Sequence, residues 1–184
     1  YLNYMDQGTL IHKVIEKIYK PYIGLTLEVD HIDLMKEELE NESIKSFSEL
    51  YSKEPEGKNL IFIEVLKEYI NNTLDYERDQ LIKQNASIKI ISLEKKISTN
   101  ILVNNKDVKL NGIIDRVDMF NGSLRVIDYK SGQVKQGVLD IKNIDNVKTD
   151  YKYSYLLQLL FYKYLAKSFY KNEEILDIGI CSLK

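Results

Sequence analysis

The chain has 184 residues, of which 44% are hydrophobic and 29% are charged, and its formal net charge is −2. This length predicts a single domain over residues 1–184, and the composition excludes a disordered or low-complexity chain. No apolar run approaches the roughly 18 residues of a membrane span, so no membrane partner is expected. The net charge predicts no overall basic surface for nucleic acid.

The lone cysteine, Cys181, excludes an internal disulfide and a four-cysteine zinc site, and no iron–sulfur cluster is expected. No signal peptide is visible, so we expect a reduced, cytoplasmic setting. Because the sequence begins at Tyr1 and stops just after a strand-like run, we also expect a fragment of a longer protein.

The first half of the chain has a helical pattern. Apolar residues at helical spacing predict a first helix that opens after Gly8-Thr9 and ends at Pro21. Further helices are predicted over residues 30–40, 46–52 and 60–84.

After Ala86 the apolar period falls to two, which is typical of strands. Strands are predicted over residues 88–93, 97–103, 108–120 and 123–130, followed by a polar loop (131–150), a helix (153–170) and a last strand (175–183). Asn121-Gly122 is the strongest hairpin signal, because both central positions of a type I′ turn need positive φ. This order predicts a mixed α/β (α+β) fold, a central mixed sheet flanked by helices.

The hairpin at Asn121-Gly122 carries the most informative charges. In its register Asp115 lies directly across from Asp128, and Lys130 points to the same face. Two like charges between apolar neighbours are unfavourable unless a divalent cation bridges them, and hard oxygen ligands suit Mg²⁺ or Mn²⁺. The alternative is an incidental acidic hairpin in a plain α+β domain.

Asp118 and Arg125 are opposed in the same register and have opposite charges. Their parity places them on the other face of the hairpin from Asp115. We therefore interpret them as a structural cross-strand pair.

Four short motifs, in this order, resemble the RecB-like branch of the PD-(D/E)XK nuclease superfamily. They are Gly8-Thr9-Leu10-Ile11-His12, Gly112-Ile113-Ile114-Asp115-Arg116-Val117-Asp118, Asp128-Tyr129-Lys130-Ser131-Gly132, and the pair Gln158 and Tyr162. The resemblance implies a restriction-endonuclease-like αβββαβ core, here with an N-terminal helical insertion.

The resemblance also implies roles for individual residues. His12, Asp115, Asp128 and the backbone carbonyl of Tyr129 are the implied metal ligands, and Lys130 is the implied catalytic lysine. Without the resemblance, a lone histidine on an amphipathic helix is more often a packing or surface residue.

Three further sets of residues have a functional and a structural interpretation. Gln158 and Tyr162 share one helical face, where the resemblance places a pair that contacts DNA or orients the lysine. They are nearly as well explained as part of a core-facing stripe. Glu94, after the first strand, and Glu16, one turn after His12, either join the site or are simply exposed.

What the resemblance implies as a whole is an Mg²⁺- or Mn²⁺-dependent deoxyribonuclease, an exonuclease of the bacterial cytoplasm. Its expected partners are single- or double-stranded DNA and a helicase domain or subunit outside this chain, as in the AddB- and RecB-like proteins of DNA repair and recombination. The alternative function is a catalytically inactive module of the same fold that binds DNA or a protein partner.

Overall fold

The computed structural model describes residues 2–134, 139, 147, 150–171 and 175–183, excluding the side chains of residues 175 and 176. Four α-helices have their bounds in these ranges: α1 (Tyr4–Tyr19), α2 (Val29–Tyr51), α3 (Lys58–Lys83) and α4 (Ser154–Phe169). Short 3-10 helices lie at Lys20–Tyr22 and Tyr151–Tyr153. Four strands accompany them: β1 (Ile88–Val103), β2 (Lys106–Phe120), β3 (Ser123–Lys130) and β4 (Ile175–Ser182). Most of the predicted loop 131–150 lies outside the described residues.

The strands form one mixed sheet in the order β1-β2-β3-β4. The first three strands are antiparallel neighbours, whereas β4 pairs parallel to β3. A parallel pair needs a crossover connection, and α4 lies in that connection. The predicted mixed fold and its αβββαβ succession are confirmed.

Two apolar clusters cover the sheet. The larger cluster joins α1, α2 and α3 to the sheet through buried residues that include Leu10, Val14, Ile18, Ile32, Leu39, Phe47, Leu66, Ile70, Leu74, Ile88 and Ile90. The second joins α4 to the strands through Ile97, Ile114, Val117, Leu124, Val126, Leu165 and Ala166. Among the described residues, no helix has the length and apolar composition that a membrane crossing requires.

Helix α1 begins earlier than the sequence predicts. Asn3 caps the helix by accepting a hydrogen bond from the backbone N–H of Asp6 at 3.0 Å. Gly8 therefore lies inside the helix, where a Cβ would come within 3.9 Å of the Ser131 hydroxyl. A Cβ at this position would make only an ordinary van der Waals contact, so the spacing between α1 and the segment after β3 does not require a glycine.

The two helices predicted over residues 30–40 and 46–52 are one continuous helix, α2. No glycine or proline interrupts it, and serine side chains satisfy local polar groups. The buried Ser43 hydroxyl donates to the Leu39 carbonyl at 2.6 Å, and Ser46 donates to the Glu42 carboxylate at 3.2 Å. The predicted break was wrong because these polar residues are accommodated within the helix.

The predicted Asn121-Gly122 turn is confirmed by its backbone angles, with φ values of 50° at Asn121 and 85° at Gly122. Asn104 and Asn105, which join β1 to β2, also have positive φ values, of 48° and 61°. Strand β1 runs without a gap in its residue range across the two predicted strands 88–93 and 97–103. An irregularity in its pairing near residue 91 and a positive φ at Glu94 mark the predicted interruption.

Gly112 in β2 allows α4 to pack closely on the sheet. A Cβ at this position would lie 2.5 Å from Leu165 Cδ1 and 3.4 and 3.5 Å from ring carbons of Phe161 and Tyr162. Leu165 is fully buried and has little room to move aside. The absence of a side chain at Gly112 therefore sets the distance between α4 and β2.

We expect Gly112→Ala to lower the free energy of unfolding by about 1–3 kcal/mol, because the added methyl group overpacks the α4 interface. Urea denaturation at constant m-value measures this change. Gly179→Ala is the matched control, because a Cβ at this β4 glycine meets no atom within 4 Å. A Gly112→Ala variant as stable as Gly179→Ala would contradict the close approach.

Candidate active site

Asp115 and Asp128 face each other in the hairpin of β2 and β3. The strands pair from the turn up to Arg116 and Ile127, one row before the two aspartates. In the next row the Asp115 carboxylate itself accepts the backbone N–H of Tyr129 at 2.7 Å. The predicted register is therefore confirmed. At the acidic pair, a hydrogen bond to the Asp115 side chain replaces the backbone hydrogen bonds between the strands.

Glu94 extends this acidic row onto β1. Its neighbour Lys95 lies opposite Ile114 of β2, which places Glu94 opposite Asp115. The φ of Glu94 is 44°, an uncommon conformation for a residue with a Cβ and one found at functional sites. Three adjacent strands thus present an acidic residue in one row, with Asp115 in the middle.

The imidazole of His12, on α1, lies next to this row of acidic side chains. Its Nδ1 lies 3.4 Å from Glu94 Oε1 and 3.6 Å from Asp115 Oδ2. Its Nε2 lies 3.1 Å from the backbone carbonyl oxygen of Tyr129, to which it donates a hydrogen bond when protonated. The ligating atoms of His12, Glu94 and Asp115 all lie within 4.8 Å of one another.

Asp128 is held by two side chains. Lys130 Nζ lies 3.0 Å from its Oδ1 and 2.7 Å from its Oδ2, and the Gln158 amide donates to Oδ1 at 3.1 Å. The same amide lies 2.9 Å from the Tyr162 hydroxyl. The buried Oδ2 has no well-aligned hydrogen bond from any described residue, and its contact with Lys130 is an ion pair.

The chemistry of these donors fits a divalent ion. One imidazole, the carboxylates of Glu94, Asp115 and Asp128, and the Tyr129 carbonyl combine nitrogen with hard oxygen ligands, a mixture that suits Mn²⁺ and, through its oxygens, Mg²⁺. Ligation by His12, Asp115, Asp128 and Tyr129 stays a prediction, to which the geometry adds Glu94.

Glu16 does not join this group. Its carboxylate pairs with Lys13 on the same helix at 3.2 Å. Glu16, Lys13 and His12 line one open cleft of about 550 Å³, together with Glu94 and the first turn of α1. Glu16 thus lies on the rim of the cleft, whereas Glu94 lies beside His12.

Burial dominates the electrostatics of the site. It raises the pKa of Asp115 to about 6, against the opposing effects of His12 and the Tyr129 N–H. Burial also raises the pKa of Asp128, although Lys130 opposes the shift. Burial disfavours the imidazolium of His12, but the hydrogen bond with Glu94 and the nearby carboxylates outweigh it and raise the pKa of His12.

Asp118 and Arg125 form the predicted cross-strand pair. The Arg125 guanidinium donates from Nε and Nη2 to the two carboxylate oxygens of Asp118, both at 2.9 Å. The pair lies on the face of the sheet toward α3, whereas Asp128 contacts Gln158 of α4. This structural interpretation is confirmed.

Sequence reasoning missed Tyr155. Its ring lies 5.6 Å from Lys130 Nζ, within reach of a cation–π contact. The available signal was its spacing, since Tyr155, Gln158 and Tyr162 share one face of α4. The ring helps to hold the lysine ammonium beside Asp128.

The chain is similar to a known family and to known proteins. A model of the PD-(D/E)XK nuclease superfamily matches residues 2–180. Three curated relatives, each named as a subunit of an ATP-dependent helicase/deoxyribonuclease, come from Streptococcus agalactiae strains of serotypes Ia, V and III and are 29% identical over 129 residues. The match covers 70% of this chain but 11% of each relative, so the chain spans about a ninth of their length.

We expect the free energy of unfolding of the metal-free protein to depend on pH, because burial makes the charged form of Asp115 unfavourable. Between its ordinary pKa of about 4 and its folded value of about 6, the unfolded chain has lost the proton that the folded chain keeps. Rising pH through this window therefore favours unfolding, by about 3 kcal/mol in total. Asp115→Asn removes this effect and keeps an acceptor for the Tyr129 N–H.

The measurement is the free energy of unfolding in urea with EDTA, from pH 4 to pH 7. The stability of Asp115→Asn relative to wild type should increase with pH across this window. Asp33→Asn, at an exposed carboxylate that pairs with Arg78, should show no such trend. A pH-independent difference between Asp115→Asn and wild type would refute the raised pKa.

Proposed function

Because the chain belongs to the PD-(D/E)XK nuclease superfamily, we propose that it is a divalent-metal-dependent deoxyribonuclease. The observation that carries this proposal is the convergence of His12, Glu94 and Asp115 within 4.8 Å, in the same row of the sheet as the lysine-bound Asp128. Buried carboxylates kept this close are unfavourable for stability alone, and a cation would neutralise them.

The proposed ligands are His12, Glu94, Asp115, Asp128 and the carbonyl of Tyr129. Bound among them, Mg²⁺ or Mn²⁺ would polarise the scissile phosphate and acidify a water molecule. The chain's own contribution is to hold these donors on three strands and one helix.

Lys130 is the proposed catalytic lysine. Its side chain is 21% exposed, and its ammonium contacts the buried Asp128 carboxylate. From this place it orients a water molecule or stabilises the negative charge that develops on the phosphate. Gln158 donates to the same oxygen of Asp128 as Lys130 does, and so helps to fix the carboxylate that holds the lysine.

The wider biological role rests on the likeness to helicase/deoxyribonuclease subunits. We propose an exonuclease that acts on DNA in repair and recombination, joined to a helicase domain or subunit outside this chain. Its proposed location is the bacterial cytoplasm.

We expect the protein to cleave linear DNA with Mn²⁺ or Mg²⁺ and to lose this activity in EDTA. Asp128→Asn and Lys130→Met should each lower the single-turnover rate by about 10²–10³-fold, because each removes a group that meets the developing charge. Lys36→Met, which breaks an ion pair with Asp75 on the outer surface of α2 and α3, is the matched control and should cleave at the wild-type rate.

Two further measurements separate the alternatives. A circular single strand should resist cleavage by an exonuclease, whereas its cleavage would show endonuclease action. DNA binding without cleavage by the wild type, under both metals, would favour the inactive binding module instead.

Metal binding distinguishes the two glutamates of the cleft. We expect Glu94→Gln to weaken Mn²⁺ binding by about tenfold or more, because it removes a charged oxygen donor beside His12. Glu16→Gln should leave the affinity unchanged, since that carboxylate pairs with Lys13. Isothermal titration calorimetry measures both, and equal effects would remove Glu94 from the ligand set.

A further inference from the structure

A fully buried arginine lies directly behind the site. Arg116 Nη1 donates to Glu77 Oε1 at 2.6 Å and to the hydroxyl of Tyr129 at 3.1 Å. The Arg116 side chain has no exposed surface, and that of Glu77 is 5% exposed. A guanidinium and a carboxylate are thus enclosed between the sheet and α3.

Tyr19 ties helix α1 to the same pair. Its hydroxyl donates to Glu77 Oε2 at 2.9 Å, and the Arg116 guanidinium lies 4.7 Å from the centre of its ring. Burial raises the pKa of the Tyr19 phenol well above its ordinary value, which keeps the hydroxyl a donor. Four elements, α1, α3, β2 and β3, therefore meet at Glu77 and Arg116.

Three members of this cluster, Arg116, Tyr129 and Tyr19, are linked to a group of the site. Arg116 follows Asp115 directly in β2. Tyr129 supplies the carbonyl oxygen that faces His12. Tyr19 lies two helical turns after His12 on the same face of α1. A displacement of any of these contacts would move a proposed metal ligand with it.

Stability alone does not explain the cluster. A buried ion pair loses hydration, and replacement by apolar residues of similar volume is often neutral or stabilising. Arg116 Nε has no hydrogen-bond partner among the described residues, so the guanidinium is not fully satisfied. Directional contacts between four elements, unlike apolar packing, fix their relative positions.

We propose that Glu77 and Arg116 are positioning residues, which hold His12, Asp115 and the Tyr129 carbonyl at the spacing that a divalent ion requires. This inference rests on the proposed function. Neither residue touches the ion or the DNA; both act through the elements that carry the ligands.

The test replaces the pair by apolar residues in the double variant Glu77→Leu/Arg116→Met. Asp118, which also contacts Arg116, keeps its bidentate partner Arg125. We expect the free energy of unfolding in EDTA to fall, because the buried hydroxyls of Tyr19 and Tyr129 lose their hydrogen-bond partners in this pair. Under conditions where the variant is folded, we expect the Kd for Mn²⁺ to weaken about tenfold. The value of kcat should fall, and KM for DNA should change little.

Tyr19→Phe is the milder second variant, because it removes only the hydroxyl that links α1 to Glu77. We expect it to fold and to weaken Mn²⁺ binding in the same direction by a smaller factor. Arg78→Met/Asp33→Leu is the matched control: it removes an exposed arginine–aspartate pair between α3 and α2, and should leave Mn²⁺ affinity at the wild-type value.

A folded double variant with wild-type Mn²⁺ affinity and kcat would overturn the inference alone. If the double variant does not fold, wild-type Mn²⁺ affinity in Tyr19→Phe would overturn it equally. A wild-type protein that neither binds Mn²⁺ nor cleaves DNA would instead overturn the proposed function, and the inference with it.

Discussion

The carboxylate of Asp115 is the group on which the site depends. It accepts the N–H of Tyr129 at the end of the β2–β3 ladder, faces Glu94 on β1, and lies 3.6 Å from the imidazole of His12. Burial makes its charge unfavourable, as the pKa of about 6 shows. The fold offsets this partly with one hydrogen bond and one histidine, and a divalent ion would complete the compensation.

The two faces of the sheet have different tasks around this carboxylate. Toward α4, Lys130 and Gln158 hold the carboxylate of Asp128. Gly112 admits α4 close enough for those contacts. Toward α3, Arg116 and Glu77 form a buried charged support. Neighbouring residues of a strand point to opposite faces of the sheet. Asp115 therefore lies in the acidic site, whereas the adjacent Arg116 belongs to the buried support.

The acidic row also explains the backbone of Glu94. A regular strand would continue its alternation through this residue, whereas the φ of 44° interrupts it. The interruption places the carboxylate within hydrogen-bond reach of His12, at 3.4 Å. Backbone strain at one residue thus accompanies the assembly of a site from two distant parts of the chain.

The sequence by itself determined those features of the site that depend on residues close together in the chain. Asn121-Gly122 set the register of β2 and β3, because a two-residue turn with positive φ leaves one pairing of the flanking strands. That register placed Asp115 across from Asp128 and sent Asp118 to the other face. The motif resemblance added His12, whose helix has no local link to the hairpin.

Tertiary structure alone decided which groups from distant elements meet. The position of Glu94 depends on an irregularity in β1. The ion pair between Glu77 and Arg116 depends on how α3 packs against the sheet. Helix α2 is continuous because buried serines find partners within it, which composition did not reveal. Periodicity and turn chemistry act over a few residues, whereas burial and charge pairing depend on the completed packing of the whole sheet.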